Sequence, residues 1–375
     1  MDGVALLEEV RALGAELGLD AVGVCAAEVF ESTRRDLHER KAAGLSADMA
    51  FTYRNPDRST DPTRILAGAR SIVVAARSYL RDGPARPGDQ PHGAVARYVW
   101  EDHYGELRGA LAAIGELLAD HGHRSRVVVD DNALVDREAA HRAGIGWYGK
   151  NANLLLPRKG SWFVLGSLVT DAVLPADEPL PDGCGTCERC LTSCPTDAIV
   201  APGVIDARRC LAWLVQARGV FPAEHRVALG DRIYGCDDCQ EVCPPNRVQA
   251  RRPVAVTVAA RRPWAPLLEM LAADDQTLLD RYGLWYIAER DPDHLRRNAL
   301  IALANTADPA DVAVRDAIAR HVGHERPMLV AHAVWAAQRL GYVDLVDVVR
   351  AGGPDAHPDV VAELARIDAG QVPRR

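Results

Sequence analysis

Eight cysteines crowded into one stretch constrain this chain more than any other feature. They are Cys184, Cys187, Cys190, Cys194, Cys210, Cys236, Cys239 and Cys243; of nine cysteines in 375 residues, only Cys25 lies elsewhere. The run Cys184-x2-Cys187-x2-Cys190-x3-Cys194-Pro195 has the spacing of bacterial ferredoxins. In that motif three thiolates cap three corners of one [4Fe–4S] cube, and the fourth turns away to ligate the other. The second run, Cys236-x2-Cys239-x3-Cys243-Pro244, is one ligand short, because Ile233 stands three residues before Cys236. Cys210 fills that vacancy from a helix expected over 206–217, with Asp206 as its N-cap. The ligands then divide without remainder. Cys184, Cys187, Cys190 and Cys243 serve one cluster; Cys194, Cys210, Cys236 and Cys239 serve the other. Two zinc sites are the competing use of such residues, but zinc seldom takes three cysteines at two-residue gaps followed by Cys-Pro.

Metal rather than disulfides is the expectation because nothing marks the chain for export. Met1 to Glu9 shows no basic region followed by an apolar core, and no apolar run approaches the ~20 residues of a membrane helix. A cytoplasmic location without membrane contact follows, in which clustered thiols bind metal. Hydrophobic residues at 48% and charged residues at 26% describe an ordinary globular chain. The net charge of −8 argues against sequence-blind nucleic-acid binding through a basic surface, though not against a local basic face. Of 44 basic residues only Lys41, Lys150 and Lys159 are lysines, a skew that reads as coding bias rather than function.

Apolar periodicity divides the chain into three parts. Val4, Leu6, Leu7, Val10, Leu13 and Leu17 recur at helical spacing, and helices are also expected over 104–121 and 134–143. Short apolar runs at 21–25, 71–76, 126–129 and 162–169 read as strands. Their alternation predicts an α/β domain over 1–175. A Pro- and acid-rich linker over 174–183 leads into the cysteine-rich part at 176–250, a ferredoxin-like bis-[4Fe–4S] domain. Arg251-Arg252-Pro253 and Arg261-Arg262-Pro263 bracket a second connection, after which 265–370 reads as all-helical. There Leu295–Ala304 resembles Leu329–Gln338, 34 residues on, as in a short HEAT-like stack.

Other motifs carry less. Gly144-x4-Gly149-Lys150 imitates a phosphate-binding loop, but Asn151 stands where Ser or Thr should be and a helix precedes it. Its Gly and Lys read as shaping a turn beside a bound group. Val127-Val128-Val129-Asp130-Asp131-Asn132 puts carboxylates at a strand end, where α/β domains often face ligand, although an Asp there is commonly a turn former or cap. Asp136, Arg137 and Glu138 on the next helix read as solvated charges. His92, His103, His121, His123 and His141 show no metal spacing and read as surface or packing residues. Cys25, on an apolar strand, reads as a small buried hydrophobe.

With these motifs in view, the chain resembles the epoxyqueuosine reductase family nearly end to end. The markers are Asp61-Pro62 through Gly68-Ala69-Arg70-Ser71, Arg97-Tyr98 with Tyr104, Val129-Asp130 through Asp136-Arg137, Arg142-Ala143-Gly144-Ile145-Gly146-Trp147, Gly149-Lys150-Asn151, Gly160-Ser161, the cysteine ladder, Tyr234-Gly235-Cys236 and Arg297-Asn298-Ala299. The resemblance implies an α/β cobalamin-binding domain, two [4Fe–4S] clusters, and a substrate that is a modified wobble base within a tRNA anticodon. By position Asp130 matches the family's proton donor. Arg58 is placed to meet a polar corrin edge; Ala96, Leu154 and Leu165 match wall positions. Ala212, Asp237 and Asp238 match positions beside the clusters. An unidentified low-potential electron donor and a monomeric enzyme are also expected. Arg218, Arg247, Arg251, Arg252, Arg296 and Arg297 are candidates to track tRNA phosphates. A dehalogenase-like corrinoid reductase and a non-catalytic iron–sulfur carrier are the rival readings.

Overall fold

Two strands that are apolar on both faces form the centre of the main sheet. A computed structural model describes residues 2–88, 90–251, 262–352 and 357–374. The described chain forms two compact units, one of 2–82, 101–210 and 237–251, the other of 83–88, 90–100, 211–236, 262–352 and 357–374.

In the first unit, α1 (Gly3–Glu16) starts at Asp2, whose Oδ1 accepts from Val4 N at 2.9 Å, and buries Leu6, Leu7 and Val10. Strands β1 (Ala21–Ala26), β2 (Ser71–Ser78), β3 (Ser125–Val129) and β4 (Phe163–Thr170) follow. They lie in the order β1-β2-β4-β3, every neighbouring pair antiparallel. Ile72–Ala76 and Val164–Val169 are buried throughout, as central strands covered on both sides require. Helix α2 (His103–Asp120) covers one face, burying Leu107, Leu111, Ile114 and Leu118. Gly166 admits it: a Cβ there would lie 2.8 Å from Leu111 Cδ1 and 3.0 Å from Leu107 Cδ2. Helix α3 (Asp136–Arg142) ends at Gly144, whose φ of +65° suits a residue without a side chain. The segment 174–183, expected as a linker, has neither helix nor strand yet is pinned: Asp177 N donates to Val24 O, and Asp177 Oδ2 accepts from Val24 N, each at 2.8 Å.

The second unit is mainly helical. A small sheet of Arg232–Tyr234, His92–Val95 and Trp264–Pro266 packs on helix α4 (Asp293–Thr306), which is followed by α5 (Val312–Val322), α6 (Pro327–Leu340), α7 (Val343–Ala351) and α8 (Pro358–Asp368). Arg226 and Glu363, both fully buried, pair at 2.9 Å. No helix among the described residues is long and apolar enough to cross a membrane.

The Arg-Asn pair of α4 corrects two expectations. Arg297 is fully buried and faces no phosphate. Its guanidinium donates to the carbonyls of Ala217 and Gly219, each at 2.7 Å, and of Leu214 and Val215 at 3.1 and 3.2 Å. Burial pulls its pKa down to about 9. Asn298 Nδ2 donates to Val215 O at 2.8 Å and Ile233 O at 3.2 Å. Arg296 is buried too, held by Asp293 and by Ala273 O, each at 2.7 Å. The helix expected over 206–217 shrinks to the single turn Leu211–Leu214, with these side chains taking up the carbonyls at its C-terminal end. Asp206 caps a separate turn instead, its Oδ1 accepting from Arg208 N at 3.0 Å.

His332 of α6 gives this unit a pH dependence. Its Nδ1 faces Met328 O at 2.6 Å, and its Nε2 accepts from Phe221 N at 3.1 Å, a pattern only the neutral ring satisfies. Burial, the largest cause, and the nearby Arg226 and Arg297 hold its pKa well below the usual value. In the unfolded chain histidine titrates near ~6.5, so below that pH the unfolded state binds more protons and stability falls. We expect a loss that approaches about 1.4 kcal/mol per pH unit from this ring as pH falls below about 6.5, read as a falling denaturant midpoint. His294 and His321, also depressed chiefly by burial, push in the same direction.

Candidate functional site

One end of the main sheet gathers the chemistry. Val129 pairs with Gly166, so the next residue along each strand, Asp130 on β3 and Leu165 on β4, reaches the same end. Asp130 leaves the sheet with φ +51°, a left-handed conformation that Asp tolerates better than most side chains. The loop after it is tied to the segment bearing Arg58. Asn132 Oδ1 accepts from Thr52 N at 3.0 Å, Ser59 O from Val135 N at 2.9 Å, and Arg58 N caps onto Asn55 Oδ1 at 3.1 Å. Arg58 itself is exposed. Leu154 and Leu165 belong to one apolar cluster, which also contains Cys25. Cys25 is buried, and that burial pushes its thiol up to about 12.

The Asp130 carboxyl is raised above the ordinary aspartate range. Desolvation is the larger cause and the charge of Asp136 the next; Arg108 opposes them and Asp131 adds a little. Much of Asp130 remains open to solvent, so the desolvation is partial, but the neighbouring carboxylates act in the same direction. Arg108 is held at the strand end by its Nη2, which donates to Val129 O at 2.9 Å. Asp136, expected as a solvated charge, is half-buried, and burial raises its pKa. Glu138 departs further from that expectation. It is buried, accepting from Arg142 Nε at 2.7 Å and Tyr148 Oη at 3.2 Å.

In the same unit, Cys184, Cys187, Cys190 and Cys243 line one pocket that opens to solvent. The four thiols ring this space rather than meet at a point. Among the described residues no three His, Cys, Asp or Glu side chains stand close enough to share a single ion. Burial, with repulsion from Cys184, Cys190 and Cys187, pushes the Cys243 thiol up to about 11 against a backbone hydrogen bond from Asn246. Such a crowd of thiols becomes a set of thiolates when a cationic iron core binds, so the donor set fits the cluster. The Gly149-Lys150-Asn151 turn lines the same cavity. Cys194 Sγ accepts from Ala198 N at 3.2 Å, and Cys210 N donates to Asp206 O at 3.1 Å. None of the nine cysteines is joined in a disulfide.

A buried brace joins the second cysteine run to the sheet end. Gln240, between Cys239 and Cys243, donates from Nε2 to Tyr79 Oη at 2.9 Å and to Ser161 O and Oγ, each at 3.1 Å. Asn246 Nδ2 donates to Ser161 Oγ and Gln240 O, each at 2.9 Å, and its Oδ1 accepts from Ser161 N at 2.6 Å. Tyr79 follows β2 and Ser161 precedes β4, at the end where Asp130 emerges. Gly160 is needed here: a Cβ would fall 1.9 Å from Asn246 Oδ1. The sequence offered no basis for weighing Gln240 or Asn246, whose only signal was their place beside cysteine ligands.

The remaining positions distribute as follows. Asp237 is the N-cap of the turn Asp238–Glu241, its carbonyl accepting from Gln240 N and Glu241 N, each at 2.8 Å. In the second unit, Ala96 N donates to Tyr234 O at 2.9 Å, and Gly235, with φ +73°, approaches so closely that a Cβ would lie 2.4 Å from Ala96 Cβ. Ala212 sits in the turn Leu211–Leu214. Of the arginines proposed for phosphate, Arg218, Arg247 and Arg251 are exposed, while Arg252 lies outside the described residues.

Comparison with known proteins accounts for both halves of this site. Residues 183–246 match a 4Fe-4S double cluster binding domain, so the chain carries two [4Fe–4S] clusters. Residues 59–131, which end just past Asp130, match the family model described as "Epoxyqueuosine reductase QueG, DUF1730". An epoxyqueuosine reductase of Bacillus anthracis is 33% identical over 350 residues, covering 91% of this chain and 90% of the relative. One of Escherichia coli (strain K12) is 34% identical over 343 residues, covering 88% of each. The crystal structure of an epoxyqueuosine reductase with a tRNA-Tyr epoxyqueuosine-modified stem loop superposes with a TM-score of 0.87 at 28% identity, over 97% of this chain and 99% of that one. With the cluster domain and the Asp130 strand matched separately and the whole length matched together, the chain belongs to the epoxyqueuosine reductase family.

Proposed function

We propose that this chain reduces epoxyqueuosine to queuosine at the wobble position of a tRNA anticodon. The epoxide oxygen leaves as water and a carbon–carbon double bond forms, which requires two electrons and two protons. The observation that carries the reading is the shared sheet end: Asp130 emerges where Tyr79 and Ser161 brace the Cys239–Cys243 segment.

In this reading Asp130 supplies a proton to the departing oxygen. Its raised pKa suits that task, because a general acid works best when its pKa lies near the operating pH. Cys184, Cys187, Cys190 and Cys243 hold one cluster; Cys194, Cys210, Cys236 and Cys239 hold the other. Cobalamin, when bound, supplies a low-potential metal centre able to reduce the epoxide. Arg58, Ala96, Leu154, Leu165, Ala212, Asp237 and Asp238 are assigned to hold it, and the apolar Leu154 and Leu165, members of one cluster, suit a macrocycle wall. Exposed Arg218, Arg247 and Arg251 are assigned to tRNA phosphates, with the base splayed out of its stack to reach Asp130. The three-part division at 1–175, 176–250 and 265–370, with a HEAT-like tail, belongs to the same proposal. So do a monomeric state, a cytoplasmic location and an external low-potential electron donor.

The test is direct. Anaerobically purified chain, given cobalamin, reductant and tRNA bearing epoxyqueuosine, should remove one oxygen atom from that nucleoside by mass spectrometry. Tight corrinoid uptake with the nucleoside unchanged would sink the proposal.

A further inference from the structure

We propose that Lys150 sets the reduction potential of the cluster assigned to Cys184, Cys187, Cys190 and Cys243, an inference that rests on that ligand assignment. Lys150 lines the same pocket as these four cysteines. Its turn is fixed from several directions. Gly149 N donates to Asn153 O at 2.8 Å, Ala152 N to Gly149 O at 2.9 Å, and Gly203 N to Lys150 O at 2.9 Å. Asn151, buried next to it, donates from Nδ2 to Cys239 O at 3.3 Å. Gly149 makes the approach possible, since a Cβ there would lie 2.4 Å from Leu155 Cδ1. Lysine therefore occupies the position that imitates a phosphate-binding loop, but its neighbours are thiols.

Charge decides what it does. One-electron reduction adds negative charge to a cluster that four thiolates already make anionic, so a neighbouring cation favours the reduced form. The Lys150 side chain is only 17% exposed, and its carboxylate partner Glu188, 64% exposed, stands at 4.0 Å, the outer limit of an ion pair. Water screens Glu188 far more than Lys150, leaving a net positive field on the cavity. Arg189 lines the cavity too but is exposed, and its field is correspondingly weak. Lys150 is also one of three lysines in a chain whose other basic residues are all arginine.

The experiment is an EPR-monitored redox titration of the chain with both clusters assembled and no cobalamin or tRNA present. Wild type is compared with Lys150→Met, Lys150→Gln and Lys150→Arg. Both neutral variants should lower one midpoint and leave the other in place. At a fixed potential the ratio of reduced to oxidised cluster should fall at least about tenfold, which for a one-electron couple is about 59 mV. Lys150→Arg should retain most of the wild-type value. Unchanged midpoints, or an equal shift of both clusters, overturn the inference. Loss of iron in both neutral variants overturns it as well, since the charge would then be a condition of assembly. Cys243→Ser separates this outcome from failure of the ligand assignment: it should abolish the signal that Lys150 moves, and two intact clusters in that variant would refute the assignment itself.

Discussion

Asp130→Asn is expected to slow epoxide reduction by about 100- to 10,000-fold, the usual contribution of a positioned general acid, while iron content and cobalamin affinity stay at wild-type levels. Asparagine is the informative replacement because it keeps the shape of the side chain and also tolerates the left-handed backbone, here at φ +51°. Loss of turnover then reports the missing proton rather than a refolded strand end. The pH profile adds a second reading. In the proposed mechanism the neutral carboxyl is the active form, so wild-type turnover should fall as pH rises through the elevated pKa of Asp130, and the Asn variant should lack that limb. Asp136→Asn removes the larger of the two carboxylate charges that raise this pKa and should move the limb to lower pH. Full turnover by Asp130→Asn would remove Asp130 from the mechanism.

Cys243→Ser should cost the chain one of its two clusters and all measurable turnover. Cys243 stands far along the sequence from Cys184, Cys187 and Cys190 yet lines the same cavity, so the interdigitated assignment makes a specific claim. Iron and sulfide analysis should give half the wild-type content, with the EPR spectrum reduced to a single species. The loop from 181 to 190 should also become sensitive to protease. Each of its residues is exposed or half-exposed, and it has little apolar packing with which to replace the lost metal bonds. A variant that keeps both clusters would show that Cys243 is not a ligand.

Much of this was legible in the residues because the controlling physics was local. Cysteine spacing follows from which thiolates one cube can accept, and the strand runs followed from burial on both faces. Strand order and direction were not legible. Alternating helices and apolar runs say nothing about β4 lying between β2 and β3, because that pairing is decided across the whole sheet. The arginines failed for a related reason. Arg296 and Arg297 look like a basic surface pair in sequence, and only their distant carbonyl partners reveal them as internal struts. Glu138 likewise reads as a solvated helix charge until Tyr148 and Arg142 close over it. The residues from Asp206 to Cys210 read as the start of a helix, but Asp206 holds them in a turn of their own.

The brace of Tyr79, Ser161, Gln240 and Asn246 contains two amides and two hydroxyls, and burial, its largest cause, holds the Tyr79 proton far above neutrality. No member carries a charge. A mount that stays neutral and fully hydrogen-bonded has little reason to rearrange when its cargo changes oxidation state. In the proposed electron route, each single-electron hop that passes this mount should then carry a small reorganisation energy, and the two hops that one turnover requires should meet nearly the same nuclear geometry.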